Sequence, residues 1–338
     1  MSLLLPEVVA LVIMVALTVY ALTGGADFGG GVWDLLASGP RKAEQRALVA
    51  HAITPIWEAN HVWLIFVVVL LFTCLPPAFA RLSIALHIPL TLMLIGIVLR
   101  GAAFTFRAYD DRADAAQRRW GTLFSIASIV TPVLLGVCVG ALAGERVLPP
   151  VGSFADGYVR PWLNPFAFAV GALALALFAF LAAVYLTLEA RDEALREDFR
   201  RRALVAAGAV FVAAAVAFAV AHTAAPRVRA GLTREAWSIP LQVNTGIAAV
   251  VAIAALWRRR YRLARLAAGA QVTLILWGWA LGQYPYLVPP DLDLAGAAAP
   301  EVTLRLVLIG VAAGLVVLVP SLVYLFRVFK AHIRREPL

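Results

Sequence analysis

The sequence predicts an all-α polytopic membrane protein with about nine transmembrane helices, and two observations carry that prediction. Of the 338 residues, 62% are hydrophobic and only 14% are charged, whereas soluble domains average about 45–50% apolar and about 25% charged residues. The polar coat of a soluble globule of this size could not cover so many apolar side chains. The apolar residues also gather into long runs, each sufficient to cross a bilayer. A soluble enzyme, a disordered chain and a nucleic-acid-binding domain are therefore disfavoured.

Each run holds about 20 mostly apolar residues, the length that a membrane-spanning helix needs. The runs are continuously apolar and lack the alternation of a transmembrane β-barrel. No basic segment precedes the first run and no cleavage site with a soluble domain follows it, so we expect a retained helix rather than a signal peptide. The chain is predicted to form a single integral membrane domain over residues 1–338. The runs occupy residues 5–24, 52–76, 82–106, 120–143, 164–189, 203–222, 239–257, 264–285 and 302–328.

The basic residues predict the orientation of the chain. Of the 29 lysines and arginines, 21 lie in the first, third, fifth and seventh connections and the C-terminal tail, and six lie on the opposite side. The positive-inside rule then places the N-terminus outside and the C-terminus in the cytoplasm. The net charge of +9 is thus explained by topology and by attraction to anionic lipid headgroups, without nucleic acid.

Three ionisable residues stand out at membrane depth, where such side chains are costly and mark functional sites. Asp27 lies just past the first predicted helix in TGGADFGGG, Glu58 lies within the second in TPIWEANHVWL, and Arg100 lies within the third in GIVLRGAAFTFR. At a rise of 1.5 Å per residue, Glu58 and Arg100 each lie about 10 Å from the cytoplasmic end of their helix. We expect the two acids and the arginine to meet at one level inside the bundle.

This cluster has two interpretations. A carboxylate in hydrocarbon must be paired or protonated, because desolvation disfavours its charged form. A carboxyl group poised between these two states is what a proton relay requires. The alternative is an inert buried ion pair of Glu58 or Asp27 with Arg100, which would only fix the register of the helices.

The glycines that follow the first run also have two interpretations. They can end the helix and let the chain turn, which we favour, or they can allow a cofactor or a partner helix to approach closely. They are not a dinucleotide-binding fingerprint, because they follow a membrane helix and not a strand of a βαβ unit. The glycines are Gly24, Gly25, Gly29, Gly30 and Gly31.

Histidine and tryptophan raise the question of a flat cofactor. His61 and His87 are the candidates for haem ligation within the runs, but no helix carries a pair that suggests bis-histidine ligation, and His61 is more typical of a packing residue. Trp57 and Trp63 flank the segment that contains Glu58. Trp57 adjoins the acid below the interface, so it either packs in the core or lies against a flat cofactor at a subunit contact.

Six ordered segments together resemble subunit II of the cytochrome bd-type quinol oxidases, particularly the cyanide-insensitive branch. The resemblance covers most of the chain, and its most specific part is the tryptophan–acid–x–asparagine segment. The segments are TGGADFGGGVWDLL, TPIWEANHVWLI, LRGAAFTFR, LNPFA, GQYPYLVPPDL and PSLVYLFRVFK.

The resemblance implies a two-subunit enzyme of the bacterial cytoplasmic membrane that oxidises quinol, reduces dioxygen to water and generates protonmotive force. Haem b and haem d, or a third b-type haem in place of haem d, are ligated by the partner, subunit I, and none by this chain. Two four-helix bundles are expected, at 1–145 and 160–338, the second with an additional peripheral helix. A structural quinone, bound lipid and small accessory membrane subunits stay open.

The resemblance also implies roles for residues near the second helix. Glu58 takes the place of the family's acid in a proton route from the cytoplasm. Trp57 takes the place of the tryptophan that faces the haem region. Asn60, His61 and Trp63 are expected near the haem or the subunit interface without ligating iron, and no metal site is expected in this chain.

Arg100 and Asp27 take the places of residues tied to the integrity of the haem site. One departure concerns Thr105, which stands where family members often carry an acid. A threonine does not titrate, so a proton route that needs a carboxylate there is in doubt, although Thr105 can still hydrogen-bond a chain of water molecules.

Two alternative functions compete with a role in proton delivery. The chain could be a purely structural partner of the haem-bearing subunit. It could instead be a secondary transporter that uses Glu58 and Asp27 for coupling, since Pro55 can break the second helix, but the sequence contains no visible repeat of the kind that transporters often have.

Overall fold

The computed structural model describes residues 4–53, 57–109, 114–147 and 152–333, and it describes the side chains of residues 5–53, 60–106, 119–147 and 152–324. Within this part of the chain nearly all regular structure is helical, which confirms the all-α prediction. Eight of the described helices are long and apolar enough to cross a membrane, and a bent pair raises the number to as many as nine.

The helices of the N-terminal half begin with α1 and end with the short α7. They are α1 (Leu4–Leu35), α2 (Lys42–Ile53), α3 (Trp57–Cys74), α4 (Pro76–Ala85), α5 (His87–Tyr109), α6 (Asp114–Ala143) and α7 (Phe154–Tyr158).

The C-terminal half contains seven more helices and one short antiparallel hairpin, which the sequence did not predict. The elements are α8 (Pro165–Glu189), α9 (Glu193–Ala224), α10 (Pro226–Arg234), α11 (Ser238–Trp257), α12 (Tyr261–Gln283), β1 (Tyr286–Val288), β2 (Leu292–Asp293), α13 (Leu294–Ala297) and α14 (Glu301–Ile333).

Helix α1 is longer than predicted, and this corrects the favoured interpretation of the glycines. It continues to Leu35, whereas the prediction ended it at residue 24 and let the chain turn there. Asp27 therefore lies inside the helix and not past its end. A glycine lowers helix stability by about 1 kcal/mol relative to alanine, and here the packing of neighbouring helices outweighs that cost.

The glycines allow close approach to α1, as the alternative interpretation proposed. A Cβ atom added at Gly25 would lie 2.6 Å from the Phe178 ring of α8. One added at Gly29 would overlap the backbone carbonyl oxygen of Phe178. One added at Gly30 would lie 2.7 Å from the Ile53 side chain of α2. Helix α8 therefore packs directly against the backbone of α1 at Gly25 and Gly29.

The second and third predicted runs are divided differently in the structure. Helix α3 ends at Cys74, and α4 begins at Pro76 with its axis turned by 117° from that of Asn60–Cys74. A proline suits the first turn of a helix because it lacks the backbone N–H that continuation would need. Residues 82–85, predicted to open the third span, belong to α4, and α5 begins at His87.

Helix α1 is central to the packing of the chain. It contacts α3, α6, α8 and α12, while α5 packs on α6, α8 on α9, and α11 on α12. The apolar stretch of α14, Glu301–Tyr324, has no buried residue in its most apolar window. The division into two four-helix bundles at 1–145 and 160–338 stays a prediction.

Substituting Gly29 by alanine should destabilise the protein, because the new methyl group overlaps the backbone of α8. Overpacking of this kind costs about 1–3 kcal/mol. We expect a lower midpoint of thermal unfolding for G29A in the detergent-extracted protein.

Gly208 in α9 provides the control, since a Cβ atom added there meets nothing within 4 Å. G208A should unfold at the wild-type temperature or slightly above it, because alanine favours the helix. A G29A protein as stable as G208A would contradict the close approach of α1 and α8.

Candidate functional site

A buried ion pair between α1 and α5 forms the centre of the candidate site. The Nη2 atom of Arg100 lies 2.6 Å from Oδ1 of Asp27, and the two side chains are 1% and 0% exposed. The same nitrogen donates to the backbone carbonyl of Asp27 at 3.2 Å. The structure thus brings together two of the three ionisable residues that the sequence singled out.

The guanidinium group of Arg100 is enclosed by a hydroxyl group and two aromatic rings as well as by Asp27. Its Nε donates to Oγ of Ser128 on α6 at 3.0 Å, and the Ser128 hydroxyl donates to the carbonyl of Phe124 at 2.7 Å. Its central carbon lies 4.9 Å from the ring centroids of both Phe28 and Phe124. Cation–π contacts of this kind are strongest when the cation is desolvated, so α1, α5 and α6 together compensate the buried charge.

One oxygen of the buried carboxylate lacks a hydrogen bond. Among the described residues nothing pairs with Oδ2 of Asp27, and the same holds for Nδ2 of Asn60 and Nδ1 of His61 on α3. Asn60 is 2% exposed. A buried polar atom without a partner costs about 1–3 kcal/mol, so such atoms mark where a proton or a water molecule binds most favourably.

His61 connects α3 to this cluster through aromatic contacts. Its ring centroid lies 5.9 Å from that of Phe28 and 6.4 Å from that of Tyr20, both on α1. Trp63 is partly buried and packs against the two main apolar cores of the chain. His61 therefore lies at the contact between α3 and α1, and Asn60 and Trp63 are its near neighbours on α3.

Glu58 and Trp57 are only partly covered by the structure. Their backbones open helix α3, but their side chains lie outside the described residues. The expected meeting of Glu58 with Asp27 and Arg100 therefore stays a prediction, as does a cofactor-facing role for Trp57.

A second buried acid, Asp34, was missed by the sequence analysis. It is 1% exposed and its Oδ2 accepts a hydrogen bond from the Ser125 hydroxyl at 3.1 Å. Asp34 follows Asp27 by seven residues, which places both on nearly the same face of α1. Asp34 belongs to the quoted segment TGGADFGGGVWDLL. Because the first predicted helix ended at residue 24, Asp34 was assigned to the connection that follows it.

The α1–α6 contact therefore carries a polar line. Asp27 and Asp34 lie on one helix, and Ser125 and Ser128, three residues apart, lie on the other. The carbonyl of Asp34 accepts from Nε of Arg46 at 3.1 Å, which connects the line to α2.

Near the Arg46 end of this polar line, an ion pair joins the connection between α1 and α2 to α9. Arg41 contacts both carboxylate oxygens of Asp198, at 2.9 Å through Nε and 2.6 Å through Nη2. The hydrogen bond to Asp198 raises the pKa of Arg41 above its ordinary value. Gln45 donates to the same carboxylate at 2.9 Å, so α2 is tied to α9 near the end of the polar line.

Two further predicted candidates lie apart from this cluster. Thr105 is exposed on α5, and its hydroxyl donates to the carbonyl of Gly101 at 3.0 Å. Nδ1 of His87 lies 2.9 Å from the carbonyl of Ile84, at the exposed start of α5. Across the described residues, no group of three or more histidine, cysteine, aspartate or glutamate side chains could hold a metal ion.

Comparison with known proteins identifies relatives along nearly the whole chain. Residues 5–329 match the sequence model of the family described as cytochrome bd terminal oxidase subunit II. The chain is 25% identical over 323 residues to the cytochrome bd ubiquinol oxidase subunit 2 of Bacillus subtilis (strain 168), with 93% of each chain covered. It is 28% identical over 219 residues to the cytochrome bd-I ubiquinol oxidase subunit 2 of Escherichia coli (strain K12), covering 61% of this chain and 54% of that one.

The fold agrees with these sequence comparisons. The chain superimposes on a chain of the bd oxidase from Geobacillus thermodenitrificans with a TM-score of 0.78 and 24% identity, covering 96% of this chain and 98% of that one. The resemblance to subunit II of the cytochrome bd oxidases is thereby confirmed, while the assignment to the cyanide-insensitive branch stays a prediction. The family match over residues 5–329 includes every helix that contributes to the buried polar cluster. On the strength of that match, this chain belongs to the cytochrome bd terminal oxidase subunit II family.

Proposed function

We propose that this chain supports the haem-bearing subunit I of a quinol:oxygen oxidoreductase and helps to deliver cytoplasmic protons to the oxygen-reducing site. The observation that carries the proposal is the fully buried Asp27–Arg100 pair, in which one carboxylate oxygen accepts no hydrogen bond from any described residue. The names of the relatives, which are ubiquinol oxidase subunits, support quinol as the substrate of the complex.

The polar line along α1 supports proton movement toward this pair. Seven residues separate Asp34 from Asp27, which corresponds to about 10 Å along the helix axis. Direct transfer over that distance is excluded, because proton transfer requires hydrogen-bond contact or one bridging water. The hydroxyl groups of Ser125 and Ser128 lie between the two helices and both accept and donate hydrogen bonds. With water molecules they would complete a route through a medium that rejects bare charge.

Glu58 is the proposed entry to this route from α3. It precedes His61 by three residues, and residues three apart share a face of a helix. The His61 ring lies against Phe28, the neighbour of Asp27 in α1. Helical spacing therefore predicts that Glu58 faces the same cluster, where a carboxyl group can take up a proton and release it.

The haem groups are assigned to subunit I in this proposal. Haem b and haem d, or a third b-type haem, supply electron transfer and dioxygen binding when bound there. The surroundings of His61 support this assignment, because its ring already packs against the rings of Tyr20 and Phe28 as a core residue does. Quinol is assigned to subunit I as well, while a structural quinone, lipid and small accessory subunits stay predictions.

Orientation gives the proton route its energetic meaning. The distribution of arginines supports a bacterial cytoplasmic membrane protein with its N-terminus outside and its C-terminus inside. Oxygen reduction then consumes cytoplasmic protons while quinol oxidation releases protons outside. Moving one elementary charge against 100 mV costs about 2.3 kcal/mol, which the redox reaction supplies, so the complex generates protonmotive force without a pump.

A purely structural role is the second candidate function, and one observation favours it. Arg100 is held between Phe28 and Phe124 and neutralised by Asp27. A buried pair in such an enclosure can fix the register of α1, α5 and α6 without moving a proton.

Substituting Glu58 by glutamine separates the two candidates. Glutamine keeps the shape of the side chain but cannot carry a proton, so we expect quinol-driven oxygen consumption by the complex to fall about 100-fold, within the usual range for a lost acid–base group. The haem absorption spectrum should persist. E58D retains a carboxyl group and should keep a substantial part of the activity. Unchanged turnover in E58Q would instead support the structural role.

The buried pair can be tested by removing one partner or both. R100M leaves an uncompensated buried carboxylate and should destabilise the complex by about 3–5 kcal/mol, with loss of bound haem. The double variant D27N/R100M removes both charges and should recover most of the thermal stability and haem content.

Oxygen consumption by the double variant then decides between the candidates. Under the proton-delivery proposal, D27N/R100M binds haem but turns over slowly. Recovery of full turnover together with haem would contradict a role for Asp27 in the route, and an R100M complex as stable as the wild type would contradict the ion pair itself.

A further inference from the structure

The turn that joins α11 to α12 is unusually rich in arginine. We call residues Trp257–Leu266, with the sequence WRRRYRLARL, the arginine turn. Five of its ten residues are arginines and it contains no acidic residue. The arginines, all exposed, are Arg258, Arg259, Arg260, Arg262 and Arg265.

Only two of these arginine side chains have a partner among the described residues. Nη2 of Arg259 lies 3.5 Å from Oε2 of Glu197, and the guanidinium of Arg265 lies 4.8 Å from the Tyr185 ring. Glu197 is itself shared with Arg200 at 2.5 Å and Arg201 at 3.3 Å. The charge of Glu197 is thus already neutralised by arginines of α9.

The side chains of Arg258, Arg260 and Arg262 form no ion pair, hydrogen bond or ring contact with any described residue. A guanidinium group offers five N–H donors in a fixed fork that matches the oxygens of a phosphate. Three such groups within five residues therefore constitute an uncompensated binding surface for phosphate.

The arginine turn also exposes large apolar side chains. Trp257 is 69% exposed, Leu266 is 72% exposed and Leu263 is 43% exposed. Tryptophan is enriched at the level of the lipid headgroups because one end of its ring is apolar and the other polar. Arginines beside exposed tryptophan and leucine match a surface that offers phosphate and acyl chains together.

The position of the turn agrees with that chemistry. It lies where two candidate spans, Ser238–Trp257 and Tyr261–Gln283, meet at one end. The Arg259–Glu197 contact places the first turns of α9 beside it, and Arg196 lies over the Tyr261 ring at 5.7 Å. The arginine turn therefore lies beside the first turns of α9, where Arg196 and Arg200 are paired with Glu193 and Glu197.

We propose that the arginine turn binds the headgroup of an anionic phospholipid of the inner leaflet. Arg258, Arg260 and Arg262 contact the phosphate, and the acyl chains lie against Trp257 and Leu266. Charge complementarity selects this occupant, because a zwitterionic headgroup would leave the arginines uncompensated. The proposal is independent of the proton route.

The test uses the purified oxidase complex, delipidated in detergent and then given phosphatidylglycerol, cardiolipin or phosphatidylcholine. Native mass spectrometry counts the lipid retained, and thermal unfolding reports its effect on stability. The wild-type complex should retain either anionic lipid at least about tenfold better than phosphatidylcholine. A basic residue near an anionic surface contributes about fivefold to binding, so R258Q/R260Q/R262Q should weaken retention of phosphatidylglycerol about 100-fold.

Two controls keep the result interpretable. R146Q/R160Q/R234Q removes the same charge from exposed arginines on the opposite predicted side and should retain the lipid as the wild type does. R258K/R260K/R262K keeps the charge and should retain most of the binding, which distinguishes a lost site from a misfolded turn.

Several outcomes would overturn the proposal. One is equal retention of phosphatidylglycerol by the wild type and the glutamine variant, and another is equal retention of the anionic and zwitterionic lipids. Displacement of the lipid by millimolar inorganic phosphate would indicate a site for a soluble phosphate compound. Loss of subunit I from the glutamine variant with its lipid content unchanged would assign the surface to a protein partner.

Discussion

The Asp27–Arg100 ion pair is the constraint on which the rest of this structure depends. Separating two charges from water is expensive, and their attraction repays the cost only when the geometry is close and the remaining polar atoms have partners. Among the described contacts Oδ2 of Asp27 is the exception to this requirement. That requirement explains the local architecture. The long side chain of Arg100 reaches from α5 to Asp27 on α1 and brings the charges within 2.6 Å, while α6 supplies Ser128 and Phe124 to complete the shell around the guanidinium group. The glycines that let α8 contact α1 serve the same close packing.

Sequence patterns predicted most of the fold because a membrane-spanning helix can be recognised from the length and apolar composition of its segment alone. The runs 164–189 and 239–257 end within a residue of α8 (Pro165–Glu189) and α11 (Ser238–Trp257), where Asn164 caps the first of these helices. The errors arose where packing overrides local preference. No property of the glycines near Asp27 shows that α8 will replace the missing side chains, and no hydropathy window distinguishes a straight span from one that turns by 117° at Pro76.

The contrast between local sequence signals and packing also decides which parts of the site could be predicted. Asp27 and Arg100 were found because ionisable residues are rare at membrane depth, so each is conspicuous without its partner. Asp34 was missed because its significance depends on α1 continuing to Leu35. The enclosure of Arg100 by Phe28 and Phe124 was invisible for another reason, since 17 phenylalanines occur in the chain and only the fold selects the two that face the cation. Because α1 ends at Leu35 and not at residue 24, Asp34 joins Asp27 on one helix, and the buried pair is part of a polar line.

The polar line and the arginine turn are both related to the depth of the chain in the bilayer. Arginines that project from the α11–α12 connection resist entry into hydrocarbon, so they hold the ends of both helices at the headgroups. Helix α12 packs on α1 and α8, and it transmits that depth to the helix that carries Asp27 and Asp34. A shift of the chain along the bilayer normal would change the depth of the buried pair. In the lipid-binding proposal, the exposed arginines therefore help to set the depth of the Asp27–Arg100 pair.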